Sequence, residues 1–441
     1  MTKILATLGP ASTVKNLQKF IKYTDIIRLN MSHNSIVWHK QILNKIRTIN
    51  NEKLVLVDIP GVKPRTLNKN LINIKKGQIV KFSYNLNKKN IIPLSNPLPK
   101  VTKKPLKFSL SDGSYEFKFL DNRKNILTGI SDQNFVLKPN KGLNIPGAIY
   151  NDKLQEKVYL SFLKKINKLK FNCVGLSFIQ NSKILKILKK KYPEKLFISK
   201  IENSLGYHNR KEIIKLSDAI MIDRGDLSAE VGITNLTNFS ENIITDSKSM
   251  GKPVIIATEN LNSLMYGKTP SKSDVINIDY YLLKKVDFIM LSDETATSLN
   301  WLNTLIWLKN YLNKKLKFKK KNKILNVEEI IKDIKDESLV IFSKKGYFYN
   351  KISSLDFKNL FLFTENKKLN NFLKLRDNFN SKYVKYPKKS LDDFLYKNIK
   401  NNLKLIFKYS DYAYLINVIF PRKNSRANSV SIIQKKDFKF K

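Results

Sequence analysis

Eight short apolar runs, each ending in polar or glycine-containing punctuation, constrain the fold of this chain more than any other feature. In order they are KILATLGP, DIIRLNMS, KLVLVDIPG, CVGLSFIQ, LFISKIEN, AIMIDRGD, PVIIATEN and FIMLSDET. Most are apolar at successive positions, the pattern of parallel strands covered on both faces. Stretches with helical periodicity, such as SKILKILKKKYPEKL and LNTLIWLKNYLNKKL, separate most of them. Eight strand–helix units predict an α/β fold of the (β/α)8 TIM-barrel class, whose site forms where the C-terminal strand ends converge. Asp226 is therefore expected to share one pocket with Arg28, Asp58, Lys200, Glu202, Thr258 and Glu294.

One interval is too long for a barrel loop. Between Thr66 and Phe171, the segments VKFSYNL, KFSLSDGSYEFKF and NFVLKPN alternate as antiparallel β-structure does, with turn residues between. An inserted β-domain over residues 67–143 is expected to hang over the barrel mouth as a lid, with the barrel built from residues 1–66 and 144–324. Residues 325–441, containing SLVIFSKKG, NLFLFTENKKL, KLIFKYSD and YAYLINVIF, read as a separate C-terminal α/β domain.

Composition narrows the function. Of 441 residues 42 % are apolar, which suits a folded globular chain, and no segment has the apolar length to cross a bilayer. The start, MTKILATLGP, lacks a secretory signal, and the single cysteine, Cys173, excludes both an internal disulfide framework and a multi-cysteine metal site. A cytoplasmic location is expected. The formal charge of +46 misleads, because lysines spread along the whole chain rather than gathering in a patch. With no zinc-finger spacing and no aromatic–basic RNA motif, no specific nucleic-acid partner is expected, only polyanion adhesion at low salt. The lysine bias makes arginine informative: only nine of the 82 basic residues are Arg, and Arg28, Arg65 and Arg224 each end an apolar run. Such positions suggest a demand for the planar, bidentate fork.

Taken in order, TKILATLGPAS, RLNMSHN, DIPGVKPRT, GLNIPGA, SKIEN, IMIDRGDLSAEVG, GKPVIIATENLNSLM and DFIMLSDETA resemble the motifs of the pyruvate kinases over about residues 2 to 300. The C-terminal region matches only in position and length. The resemblance implies transfer of the phosphoryl group of phosphoenolpyruvate to ADP, giving pyruvate and ATP in glycolysis, by a homotetramer or homodimer. Lys200 and Glu202 lie two apart, so on a strand both face the same side. A lone Lys-x-Glu pair is ordinarily a surface ion pair, but this one sits in an apolar strand among seven matching strand ends. The resemblance gives Lys200, Arg28 and Thr258 catalytic roles, and gives Glu202 and Asp226 to Mg2+ or Mn2+. Arg224, Gly225, Asp226 and Thr258 would bind substrate, with backbone amides near Gly225 holding its carboxylate; the competing reading of Asp226 is an ordinary helix cap. Asn30, His33 and Arg65 would lie near the nucleotide phosphates, and a relay through Ser292 and Glu294 to Thr258 is a candidate proton source. Many relatives hold K+ with groups matching Asn30, Ser32, Asp58 and the carbonyl of Ile59, and carry Glu where this chain has Lys63. An ammonium there implies that K+ is not required.

Three acids depart from the family pattern: Asp223 replaces a small residue, Glu259 a Gln and Asp293 a Gly. Each adds negative charge near a site for two anions, which is unfavourable. In the C-terminal region FSKKGYFYNK offers a sugar phosphate only Ser343 as a Ser/Thr hydroxyl, beside Lys344 and Lys345, which argues against activation by a sugar bisphosphate. Two rival readings stay open: another metal-dependent barrel enzyme, such as a lyase or aldolase, and a decayed relative that only binds metabolites. The first would not need Arg65, and intact Lys200, Glu202, Arg224, Asp226 and Thr258 argue against the second.

Overall fold

A computed structural model describes residues 2–12, 16–84, 90–101, 105–316, 334, 337–346, 349, 357–376, 379–387, 391–417 and 429–438. Each of the eight apolar runs forms a strand: β1 (Lys3–Thr7), β2 (Ile26–Asn30), β3 (Leu54–Ile59), β4 (Cys173–Leu176), β5 (Leu196–Lys200), β6 (Ala219–Asp223), β7 (Val254–Ala257) and β8 (Phe288–Leu291). They close into a barrel in sequence order. Strands β2 to β8 are buried throughout except at Asn30, because helices such as Lys183–Lys191 cover the outer face. Register aligns the charged ends: Asn30 pairs with Asp58, Asp58 with Gly175, and Asp223 with Ala257. At Gly175 a Cβ would lie 2.9 Å from Asp58 Oδ1, so glycine there leaves room for that carboxylate.

The long interval holds β-structure, as its alternation predicts. A six-stranded sheet runs in the order Leu143–Asn144, Lys107–Leu110, Tyr115–Arg123, Ile126–Ser131, Ile79–Ser83, Ile91–Pro93, and Ile72–Ile74 pairs with Phe135–Leu137. Phe82, Phe108 and Phe117 pack ring against ring in its core, with centroids 5.0–5.8 Å apart. Part of VKFSYNL, at residues 85 and 86, lies outside the described residues. The strand ILTGIS was not anticipated; Gly129 breaks its apolar alternation, and a Cβ there would meet the Phe108 ring at 2.4 Å.

The molecule divides into two compact units: residues 4–247 with 254–305, and residues 306–441 with 1–3 and 248–253. The inserted sheet belongs to the first. The second contains a five-stranded sheet ordered Phe379–Tyr383, Asn359–Thr364, Ser338–Phe342, Tyr412–Asn417, Ser429–Gln434, parallel except for the last pair. Within KLIFKYSD the chain forms a short helix, Leu403–Ile406, rather than a strand. The boundary expected near residue 325 lies outside the described residues, as do four positions of FSKKGYFYNK, at 347, 348, 350 and 351. Among the described residues no helix is long and apolar enough to cross a membrane.

Candidate active site

The end of β5 carries the densest charge in the barrel. Lys200 Nζ lies 2.8 Å from Glu202 Oε1, 3.3 Å from Asp223 Oδ2 and 3.4 Å from Asp58 Oδ2. Asp58 also receives two Arg28 nitrogens, Nε and Nη2, each at 2.8 Å, while the third donates to Thr7 Oγ1 at 2.9 Å. Burial opposes the Lys200 charge, but Asp58, Glu202 and Asp223 hold its ammonium well above the ordinary lysine range. Glu202 is fully buried; its Oε2 accepts the Phe178 amide at 2.6 Å. Burial, with Asp226 and Asp223 nearby, pushes Glu202 up to about 8 despite Lys200.

The helix Arg224–Val231 begins where β6 ends. Asp223 occupies the N-cap position without a side-chain cap bond, and the Asp226 carboxylate caps nothing. Instead Asp226 Oδ1 accepts from Lys63 Nζ and, at 3.2 Å, from Asn144 Nδ2. Burial would raise this acid, but the Lys63 charge overrides it and brings Asp226 down to about 2. Lys63 Nζ also lies 2.9 Å from Asp112 Oδ1, on a turn of the inserted sheet where Ser111, Asp112 and Gly113 all have positive φ. A Cβ on Gly225 would fill the space between Asp112, Asp223 and Thr258, at 3.5–3.9 Å from each, so glycine keeps that space open.

Thr258 and Glu259 are held in the left-handed region, with φ of 64° and 51°. The buried Arg224 fork pins this turn: it donates to the carbonyls of Ala257 and Thr258, to Asn260 Oδ1 at 3.0 Å and to Asn277 Oδ1 at 2.6 Å. Strain of this kind persists only where the surroundings over-determine it. The turn orients the Thr258 hydroxyl, which accepts the Gly225 amide at 3.2 Å and donates to Ala257 O at 2.7 Å.

Glu202, Asp223 and Asp226 each present a carboxylate oxygen within 4.8 Å of the other two. Beside them Asn144 Oδ1 is buried and has no hydrogen-bond partner. Three carboxylates and an amide oxygen gathered in this way are hard oxygen donors, which suit Mg2+ or Mn2+.

A family model described as "Pyruvate kinase, barrel domain" matches residues 1–304. The chain belongs to the pyruvate kinase family. Among curated relatives, the pyruvate kinase of Thermococcus litoralis is 30 % identical over 311 residues, which cover 67 % of this chain and 65 % of the relative. That of Thermotoga maritima is 30 % identical over 315 residues, covering 67 % and 66 %, so the match spans just under two thirds of both relatives. The Encephalitozoon cuniculi pyruvate kinase is 28 % identical over 329 residues, covering 70 % of this chain and 74 % of its own. The crystal structure of pyruvate kinase from Pyrobaculum aerophilum shares the fold, with a TM-score of 0.78 at 20 % identity over 98 % of both chains. A pyruvate kinase structure from Cryptosporidium parvum aligns with a TM-score of 0.81 at 21 % identity, over 98 % of this chain and 96 % of that one.

Against that pyruvate kinase frame, Lys200, Glu202, Asp226, Arg28, Asp58, Lys63, Gly225 and Thr258 are joined by direct contacts or short relays. Arg224 differs from expectation: its fork is taken up by carbonyls and amide oxygens of the barrel, which makes it a positioning group for Thr258. Among the described contacts Lys63 meets none of Asn30, Ser32 or Asp58; its ammonium sits on Asp112 and Asp226. Asn30 Oδ1 accepts the Ser32 amide at 3.1 Å, and Arg65 donates to Asn140 O at 3.2 Å. Partial burial, then Arg65 and Arg28, lowers His33 from its usual range, which favours the neutral ring. Both oxygens of Glu294 accept backbone amides, from Asn260 at 3.1 Å and Ser292 at 2.7 Å, the bonding of a loop clamp rather than a proton relay. Of the three departing acids only Asp223 is buried at the cluster; Asp293 and Glu259 are exposed. Sequence reasoning missed Asn144, Asp112 and Ser177, whose Oγ bridges Lys200 and Asp58 at 3.4 and 3.3 Å. Asn144 lay in view within GLNIPGA, and Asp112 within an SDG turn.

Proposed function

We propose that this chain is a phosphotransferase of glycolysis that moves the phosphoryl group of phosphoenolpyruvate to ADP, giving pyruvate and ATP. The observation that carries the reading is the Lys200 ammonium, fixed at the barrel mouth beside Glu202 and the metal-suited carboxylates in a chain of this family. Phosphoryl transfer needs positioning and charge neutralisation more than covalent help. Lys200, kept charged by its acids, faces the transferring phosphoryl and the enolate oxygen that gains charge as it leaves. Arg28 supports it from β2, through the Asp58 carboxylate that both cations share. The hydroxyl of Thr258 and the first amides of the helix Arg224–Val231 hold the substrate carboxylate in the space that Gly225 keeps open. Glu202 and Asp226 would hold Mg2+ or Mn2+, which supplies positive charge to the substrate oxygens. Asn30, His33 and Arg65 line the nucleotide side. Residues 67–143 act as the lid on a barrel of residues 1–66 and 144–324, and residues 325–441 form the C-terminal domain. The working form is a cytoplasmic homotetramer or homodimer.

The finer part of the reading is independence from K+. The Lys63 ammonium is buried and fixed between Asp226 and Asp112, so a permanent positive charge already stands in the pocket. It serves the charge balance that K+ would supply at Asn30, Ser32, Asp58 and Ile59, though from the Asp226 side. The test is pyruvate formation from phosphoenolpyruvate, ADP and Mg2+ with Na+ or K+ as the only monovalent cation. Equal rates support both parts. Activity only in K+ keeps the kinase and removes the role given to Lys63. No pyruvate in either salt from a folded sample sinks the kinase reading.

A further inference from the structure

Asp223 is the one departing acid that reaches the cluster. It is 7 % exposed, ends β6 and faces Lys200 at 3.3 Å, yet it makes no cap bond to the helix that follows. Its neighbours raise the question of what its charge balances. Ion pairs through Lys200 and Lys63 link five carboxylates (Asp58, Asp112, Glu202, Asp223 and Asp226) to three cations, Arg28, Lys63 and Lys200. With all five ionised, as ligation of a cation requires, the surplus is two negative charges in a largely buried site, where uncompensated charge is costly. One divalent cation would remove it.

A second observation is independent of the acids. Asn144 is fully buried, and its amide nitrogen donates to Asp226, which fixes the group beside the cluster. Among the described residues its oxygen has no partner. A buried amide oxygen left unmatched beside a surplus of negative charge calls for a cation or for water bound to one.

We propose that Asp223 is a third carboxylate ligand of the divalent-ion site, acting with Glu202, Asp226 and the amide oxygen of Asn144. The proposal rests on the metal-dependent phosphotransferase reading above. An added carboxylate tightens a hard cation, since affinity follows the number of charged ligands. It also places one more negative charge opposite two anionic substrates. The site would then hold its ion firmly before substrate arrives.

The test is titration of the full chain with Mn2+, without substrate, following free Mn2+ by electron paramagnetic resonance. Asp223→Asn keeps the size of the side chain, and Asp223→Ala gives a second variant should the first misfold. Asp112→Asn removes the same charge from the adjoining Lys63 pairs, at an exposed turn outside the cluster. The expected result is affinity weakened roughly tenfold or more by both Asp223 variants and clearly less by Asp112→Asn. Unchanged or tighter binding in the Asp223 variants, or a loss equal to that of Asp112→Asn, overturns direct ligation. Pyruvate formation by the unaltered chain separates the failures. Activity together with Asp223-independent binding sinks this inference alone, whereas no activity and no Mn2+ binding sink it with the reading beneath it.

Discussion

The barrel and the central strands of the C-terminal sheet, Ser338–Phe342 and Asn359–Thr364, are built from the same kind of strand, buried along its length and paired in parallel, but their ends differ. In the barrel, Lys200 at the end of β5 meets three carboxylates and is itself 4 % exposed. In the C-terminal sheet, the strand Ser338–Phe342 is followed by Lys344, whose ammonium pairs with Glu365 at 3.4 Å in the open. Continuous apolar runs specify a covered parallel sheet in both places. Closure gathers the barrel's strand ends around one mouth, whereas an open sheet strings them along an edge, and among the described residues the charges accumulate where water is scarce at the barrel mouth. Apolar runs thus account for the two folds, and the closure of one of them accounts for the site.

The contrast can be broken by parallel substitutions. Lys200→Met should lower pyruvate formation by about a thousandfold or more, by loss of charge at the transferring group. An unchanged rate would remove Lys200 from the mechanism. Next in size is Glu230, whose Oε1 accepts the amides of Gly147 and Ser204. Burial, opposed by those bonds, raises it from 4.5 to about 7, so the unfolded chain releases its proton first as pH rises. Its contribution to stability therefore falls between pH 4.5 and about 7 and stays low above that. Glu230→Gln keeps an acceptor oxygen and should stabilise the chain above pH 7 by up to about 3 kcal/mol, with the gain vanishing near pH 4. Urea denaturation at pH 4.5 and 8 would show it, and an equal difference at both values would discard the account. Glu259→Gly relieves a left-handed backbone at an exposed position and should add about 0.5–1 kcal/mol, read as a higher midpoint in the same titration. Smallest is Lys344→Met in the C-terminal sheet, expected to change stability by less than about 0.5 kcal/mol. A large loss there would mean that the two sets of strand ends are more alike than their burial indicates.

The eight strands were legible because burial on both faces writes itself as unbroken apolar runs, and the convergence of Arg28, Asp58, Lys200 and Glu202 because the runs stop on or beside them. What escaped was anything decided by docking. Asp112 is an ordinary turn acid until the inserted sheet sets it against Lys63, and Ser177 is one polar residue in an apolar run until β4 and β5 align it with Lys200. Arg224 shows a subtler limit. Its rarity correctly signalled a need for a planar fork, but the acceptors are barrel carbonyls that no sequence pattern names. In the same way, the Lys63 charge was readable and its partner was not.

The inserted sheet leaves and rejoins the barrel through two adjacent segments, bridged at Arg65 and Gly142. Two residues before that bridge on the outgoing arm stands Lys63, and two residues after it on the returning arm stands Asn144. Both side chains end on the same atom, Asp226 Oδ1. The attachment is mechanically a yoke with its pin in one carboxylate oxygen. Any displacement of the sheet would load that pin from both sides, because the two arms share it.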